Sequence, residues 1–463
     1  MDELDDDFFF DDESAEIVRR YEESVNERNM PYFDVEEVEV IADYYLSCGK
    51  TKESFNVIDL GLKLHPNNTS LQTKRAKAYL ESGDVRKAYQ ILERNALPYD
   101  ADSLLLKGDA LMRLHRPKEA VTVFDRMMTL PGIDFETASL DIAYICVANN
   151  EFTDALHFLN LGMEHAPDNL DILEEAAFCY EQLNQNDQAI EMYQRIIEVD
   201  PYSSEAWYDL GLIFFSRSLY DQALDAFDFV TVIDEEDTGG WLQKGNSLFH
   251  LNRFREALVC YHRCQSLMDF EDLLLIFMAQ CHEKLEEYAQ AASYYAKAVE
   301  INEKNIEGWI GMGICALELE QYDAACQHLQ KGLELDPENS EAWVYLAESY
   351  INRNEPLKAI DAYKESLQLS QDQAETWQSL GTLYLETKKY VNALDAFLMA
   401  ERLTVDDIEL PNLKLFLAVA FCKTGDMKMA RQFLSKAVTA NLEAKDMFRE
   451  FCPECESWIV QED

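Results

Sequence analysis

Large apolar residues return every 34 positions through the middle of the chain, at Leu173, Trp207, Trp241, Leu275, Trp309, Trp343 and Trp377. A second register keeps the same period with residues that have almost no side chain. Ala177, Gly211, Gly245, Ala279, Gly313, Ala347 and Gly381 each stand twelve positions before an alanine, at 189, 223, 257, 291, 325, 359 and 393. A fixed period of this length means that each unit cannot bury its apolar face alone. It must stack on its neighbours.

Within one unit the spacing predicts two helices. In the stretch SEAWVYLAESYINRNEPLKAIDAYKESLQL, Trp343, Leu346, Ala347 and Tyr350 share one helical face, and Ala359, Tyr363 and Ser366 share another. The small residues at 347 and 359 let two backbones approach, with aromatic residues filling the space beside them. The segment INRNEP breaks the pattern, and Pro356 suits the first turn of the second helix. Between units, ELDPENSEAW carries the stop: Pro337 ends one helix and Ser340 is placed to cap the next.

The set Trp, Leu, Gly, Tyr, Ala, Phe, Ala, Pro at fixed offsets within each period resembles the tetratricopeptide repeat. Units opening at Val38, Gln72, Leu104 and Ser139 precede the seven clean ones, and one at Lys414 follows, which makes twelve. Their small pairs are Ala42/Ser54, Ala76/Ala88, Gly108/Ala120, Ala143/Ala155 and Ala418/Ala430. The resemblance implies an all-α fold, a right-handed superhelical solenoid of about twelve helix-turn-helix repeats over residues 35–440. The expected flanks are an acidic–aromatic disordered arm (1–13), an N-terminal capping helix (14–34), and a C-terminal capping helix with a tail (441–463).

Composition narrows the function classes. With 88 acidic and 40 basic side chains the formal net charge is −48. Nucleic acid is therefore not an expected partner, because phosphate neutralisation needs clustered Lys and Arg. No 18-residue apolar run is present, so no membrane span is expected, and the start MDELDDDFFFDDE is the opposite of a basic, apolar signal peptide. The eleven cysteines follow no framework, and Cys146 and Cys264 fall on core positions, which points to thiols in a reducing cytoplasm.

The charge is uneven. Residues 2–13 hold eight carboxylates and the run Phe8-Phe9-Phe10, whereas residues 74–126 hold eleven Lys and Arg against eight acids. The arm is expected to fold back on that basic stretch, with Lys74, Lys77 and Arg113 as its nearest contacts.

Catalytic signals are poor. GMGIC at 311–315 lies within a repeat helix, the eight histidines are scattered, and Cys452-Pro453-Glu454-Cys455 lacks both a βαβ context and two further metal ligands. No catalytic residue, metal site or cofactor is assigned. In the tetratricopeptide family the first helix of each hairpin lines the inner surface. Some members clamp a chaperone's C-terminal carboxylate there with Lys and Asn; Lys77 and Arg113 are the nearest candidates, but the Asn pair is missing. The inward offsets instead carry Tyr144, Phe178, Tyr208, Leu212, Phe215, Phe249 and Ile314, bordered by Glu174, Glu181, Asp209 and Glu318. An apolar strip edged with acids suits a basic or amphipathic protein segment. The expectation is a non-enzymatic scaffold or adaptor. The alternative is a structural or regulatory subunit that uses its outer face and ends.

Overall fold

The computed structural model describes residues 12–27, 31–94, 100–267, 272–404, 410 and 412–453. Among these are twenty-six helices and no strand. From Val35 to Ala440 the helices follow one another as twelve pairs. Phe8, Phe9 and Phe10 lie outside the described residues, as does Cys455.

Each of the twelve turns between paired helices contains one residue with positive φ. These are Gly49, Gly83, His115, Asn150, Asn184, Ser218, Asn252, Glu286, Glu320, Asn354, Lys388 and Gly425, with φ from 55° to 93°. Eight of them, from Asn150 to Lys388, recur without a slip, so the backbone keeps the period of the side chains. A left-handed residue at this point lets the N–H groups that follow it close on the last carbonyls of the first helix. Arg253 N, for example, donates to Leu248 O at 2.8 Å, and Glu355 N to Tyr350 O at 2.9 Å.

The other ends are capped by side chains. Asn68, Asn169, Asp237, Asn305 and Asn339 accept hydrogen bonds from the backbone N–H three residues on. The expected cap at Ser340 is therefore one residue late. Asn339 has extended backbone geometry and supplies the acceptor, while Ser340 is already the first helical residue. Pro356 does begin its helix. The repeat tryptophans add a further tie between units. The indole N–H of Trp207, Trp241, Trp309, Trp343 and Trp377 donates to the carbonyl six residues earlier, at 2.9–3.1 Å.

At Gly245, Gly313 and Gly381 the small residue of the first helix has a sharper role than backbone approach. It is the floor on which a side chain of the second helix rests. A Cβ added at Gly245 would stand 2.5 Å from Tyr261, and one at Gly381 would stand 2.5 Å from Phe397. At Gly313 the side chain so met is Leu329, again at 2.5 Å. Tyr261, Phe397 and Leu329 are all buried.

The chain divides into two compact units, residues 1–218 and 219–463. In the first, buried clusters run along the sequence, from Val18–Ala78 through Ala76–Ala110 to Leu104–Ile213. Helix Asp12–Glu27 closes its start, with Tyr21 packed edge-on against Phe33 and Tyr45. In the second unit the clusters run from Leu224–Cys281 through Leu275–Cys315 to Cys326–Cys452. Helix Ala444–Phe451 buries Ala444 and Phe448 in the last of them. Successive clusters drawn from adjacent hairpins are what nearest-neighbour stacking produces.

The turn geometry gives a clean test. Nothing lies within 4 Å of a Cβ added at Gly83, so only its φ of +80° opposes a side chain. Gly83→Ala should cost about 1–2 kcal/mol. Lys388→Gly, at φ +59°, should be neutral or stabilising by up to about 1 kcal/mol. Denaturant unfolding of the two variants measures both signs.

Candidate protein-binding surface

Five positions after the opening residue of each repeat stands the offset that the tetratricopeptide resemblance places on the inner surface. In the first unit this position is Asp43, Lys77, Asp109, Tyr144, Phe178 and then Leu212. In the second it is Asn246, Gln280, Ile314, Glu348, Thr382 and Val419. Only the first unit has three successive apolar residues there. Tyr144 is 50% exposed and Phe178 41% exposed. Leu212 is half-buried on helix Ser204–Ser216, as are Tyr208 and Phe215.

The exposed Phe178 ring is braced by a second aromatic residue. Phe152, the first residue of its helix, packs edge-on against Phe178 with centroids 6.2 Å apart. Around Tyr144, the carboxylates of Glu175, Asp171, Asp141 and Glu174 add to burial in pushing the phenol pKa up. Burial in turn raises the carboxyl pKa values of Asp141, Glu174 and Glu175, with neighbouring acids adding to the first two. Further along, the Tyr193 hydroxyl lies 3.1 Å from Glu181 Oε1 and 3.3 Å from Asp209 Oδ2, donating between two acids on successive first helices. Burial lifts both carboxyl pKa values, and the Tyr193 hydrogen bond only partly opposes it. This strip is apolar at its centre and lined with partly desolvated negative charge.

The structure brings together two residues that the sequence assigns to different sites. Arg113, expected to meet the arm, and Tyr144, expected to meet a partner, line one cavity of about 380 Å³ with Asp109, Ile145, Ala148 and Asn149. Arg113 is already engaged there. Its Nε donates to Asp109 Oδ1 at 2.7 Å and its Nη1 to Leu80 O at 3.2 Å. Asp109 is buried, and desolvation raises its pKa more than Arg113 lowers it. Lys74 is likewise paired, with Asp43. Lys77 is half-buried on helix Thr69–Glu81 and makes no ion pair among the described residues.

In the second unit, Phe249 is half-buried against the core, edge-on to Phe254 at 5.3 Å. Ile314 is half-buried on helix Ile306–Glu318. The residues missed from sequence were Asp109 and Phe152. Asp109 has the same offset as Tyr144 and Phe178 and could have been found by tabulating that position. Phe152 opens a second helix and carries no such signal.

Other chemistry is scarce. Burial pushes the thiols of Cys146, Cys179, Cys264, Cys281 and Cys315 up to about 12, so they stay protonated. Among the described residues there is no group of three or more His, Cys, Asp or Glu that could hold a metal ion. No described helix is long and apolar enough to cross a membrane.

Family models described as tetratricopeptide repeat match residues 73–129, 147–210, 274–305 and 311–374. The chain is a tetratricopeptide-repeat protein. It is 22% identical over 256 residues to the BBSome complex member BBS4 of Bos taurus, covering 48% of this chain and 49% of that one. It is 28% identical over 171 residues to a peroxisomal targeting signal receptor of Eremothecium gossypii, covering 36% and 28%. The chain thus spans half or less of the length of the curated relatives it matches. Among solved structures, the Cut9–Hcn1 hetero-tetramer of APC/C aligns over 88% of this chain and 93% of that chain, at 15% identity and a TM-score of 0.41. A tetratricopeptide-repeat protein from Parabacteroides merdae aligns over 54% and 98%, at 16% identity and a TM-score of 0.43.

The raised carboxyl pKa values of Glu181 and Asp209 have a definite sign. An acid whose native pKa exceeds its unfolded one favours the fold most below the unfolded value, and loses that contribution as pH rises through the native one. Asp209→Asn and Glu181→Gln should therefore raise the melting temperature of the protein at pH 7. A rise of roughly 2–4 °C is the scale for relieving a single buried charge. The gain should vanish as pH falls to the ordinary carboxylate range, which thermal melts from pH 4 to pH 8 would follow.

Proposed function

We propose that this protein is a non-enzymatic scaffold or adaptor that holds segments of partner proteins on the inner face of its repeats. The observation that carries this reading is the pair of solvent-facing aromatic residues, Tyr144 and Phe178, at a position where four of the other ten repeats carry an ionisable side chain. Exposed rings on a rigid helical framework serve recognition: they bury large area at low entropic cost and tend to dominate binding energy. The acids around them favour a basic amphipathic segment, whose apolar side chains would cover the rings and whose Lys or Arg would meet Asp141, Glu174 and Glu175. Membership in a complex, as the name of the BBS4 relative states for that protein, and recognition of a targeting signal, as the receptor's name states for it, are both compatible with such a surface.

A second reading, a subunit of a larger assembly docked through its outer face, draws support from aliphatic residues left exposed on second helices. Val259 and Val391 are each 65% exposed, and Leu357 is 61% exposed. We place the protein in the cytoplasm, where its buried thiols stay reduced. The acidic arm would act as a tethered competitor for basic surface near Lys77.

Changing Phe178 and Leu212 together to Ser should weaken partner capture by more than tenfold, the loss of a single hot spot of about 2 kcal/mol or more. The circular-dichroism spectrum should stay unchanged. The assay compares wild type and variant as baits in pull-downs from the source cell, with the captured proteins quantified. Equal capture by both would refute the inner-face reading.

A further inference from the structure

A second cleft, of about 500 Å³, opens in the second unit between helices Tyr322–Leu335 and Pro356–Leu369. Its floor is helix Ser340–Asn352, which presents Trp343, Leu346 and Tyr350 to it. It is separate from the inner face. At about 100° per residue, those three side chains centre on the opposite side of the helix from Glu348, Ile351 and Asn352. The latter three line a different hollow of about 340 Å³ with Leu317, Glu318 and Tyr322.

One small residue on the cleft wall keeps it open. Three positions after the alanine of the second helix stand Met192, Tyr294, His328 and Phe433 in four other repeats, but Ala362 here. Alanine recurs at this place only at 226 and 396. Beneath Ala362 the polar ends of both aromatics are engaged within the protein. Trp343 Nε1 donates to Pro337 O at 3.0 Å, and Tyr350 Oη accepts from Gln330 Nε2 at 2.7 Å. Leu346 and Tyr350 are buried and Lys358 Nζ stands 5.4 Å over the Tyr350 ring, so the accessible floor is chiefly the Trp343 ring. Such a lining is usual for recognition pockets of this size.

The rim supplies the charge preference. Lys358 is paired with Glu355 at 2.6 Å, and Glu334 with Lys331 at 2.8 Å, so these largely cancel. Asp361 has only Lys364, at 3.8 Å, and exposed Glu365 has no ion pair among the described residues. The uncompensated charge is negative and lies along one wall.

We propose that this outer cleft is a second docking site, and that it takes a large apolar or aromatic side chain from a partner protein segment carrying adjacent Lys or Arg. The apolar side chain rests on Trp343, beside the Lys358-covered Tyr350 ring, and the basic one meets Asp361 and Glu365. The chain's own arm has three phenylalanines of suitable shape, but its eight carboxylates in residues 2–13 would face the same acids. A second copy of the chain, at net charge −48, meets the same repulsion. A protein with one site on each face of its repeats can hold two partner segments at once.

The test uses the full chain labelled with 5-fluorotryptophan, which gives one fluorine resonance for each of its six tryptophans. The Trp343 signal is assigned through Trp343→Phe. The probes are acetyl-Lys-Phe-Leu-Arg-Lys-amide, its counterpart with Glu in place of the basic residues, and a peptide of residues 1–13. The basic probe should shift the Trp343 resonance saturably, and more weakly as salt rises. Asp361→Lys with Glu365→Lys, both exposed, should weaken that binding at least tenfold. Ala362→Met should block it by filling the cleft. The Phe178→Ser, Leu212→Ser variant should bind the basic probe at Trp343 as the wild type does, which separates this site from the inner one. No saturable shift at Trp343, an equal or stronger response to either acidic probe, or insensitivity to the charge reversal would each overturn the proposal.

Discussion

The contact on which this protein depends is a side chain of the second helix seated on a residue of the first that is too small to push it away. Tyr261 over Gly245, Leu329 over Gly313 and Phe397 over Gly381 repeat it along the chain. With the side chain in place, two short helices, marginal on their own, become a hairpin with one apolar flank on each side. Those flanks can be buried only by the next hairpin. Such hairpins share no common core, and within each compact unit the buried residues fall into successive clusters.

This division of labour frees the remaining surfaces. The offsets that pack the hairpin are fixed by volume, whereas the offset five after the opening residue ranges from buried Asp109 and Val419 to exposed Tyr144 and Phe178. A strip of Tyr144, Phe178 and Leu212 there is not required by packing. Nor are the desolvated carboxylates beside it, whose raised pKa values show that the fold bears a cost to keep them. Interfaces gather this kind of arrangement, an aromatic centre with a charged rim, because shape and charge then select the same partner.

The turns show a related compromise. Gly stands at the left-handed turn position in only three of twelve repeats, and Asn in four. Glu286, Glu320 and Lys388 occupy it as well, at conformations that ordinary residues resist. Each is held there by the carbonyl groups that its turn must close. The stability gained by stacking is distributed over the whole array, so single strained turns are tolerated.

The sequence by itself determined the repeat, its period and its helical hairpins, because regular spacing of large and small residues is a one-dimensional signal of nearest-neighbour packing. It also singled out Tyr144, Phe178, Tyr208, Leu212, Phe215, Phe249 and Ile314 as an apolar set on the expected inner surface. It misjudged a cap by one residue, Ser340 for Asn339, since both can accept a hydrogen bond and only backbone geometry chooses between them. It could not show that Arg113 is spent on Asp109 and Leu80, that Arg113 shares a cavity with Tyr144, or that Tyr193 links Glu181 to Asp209. The same holds for the cleft over Trp343, where Ala362 meets two other helices. Most of these contacts join residues well apart in the chain, on different helices. Period fixes which helices are neighbours; only tertiary packing decides which side chains on them meet.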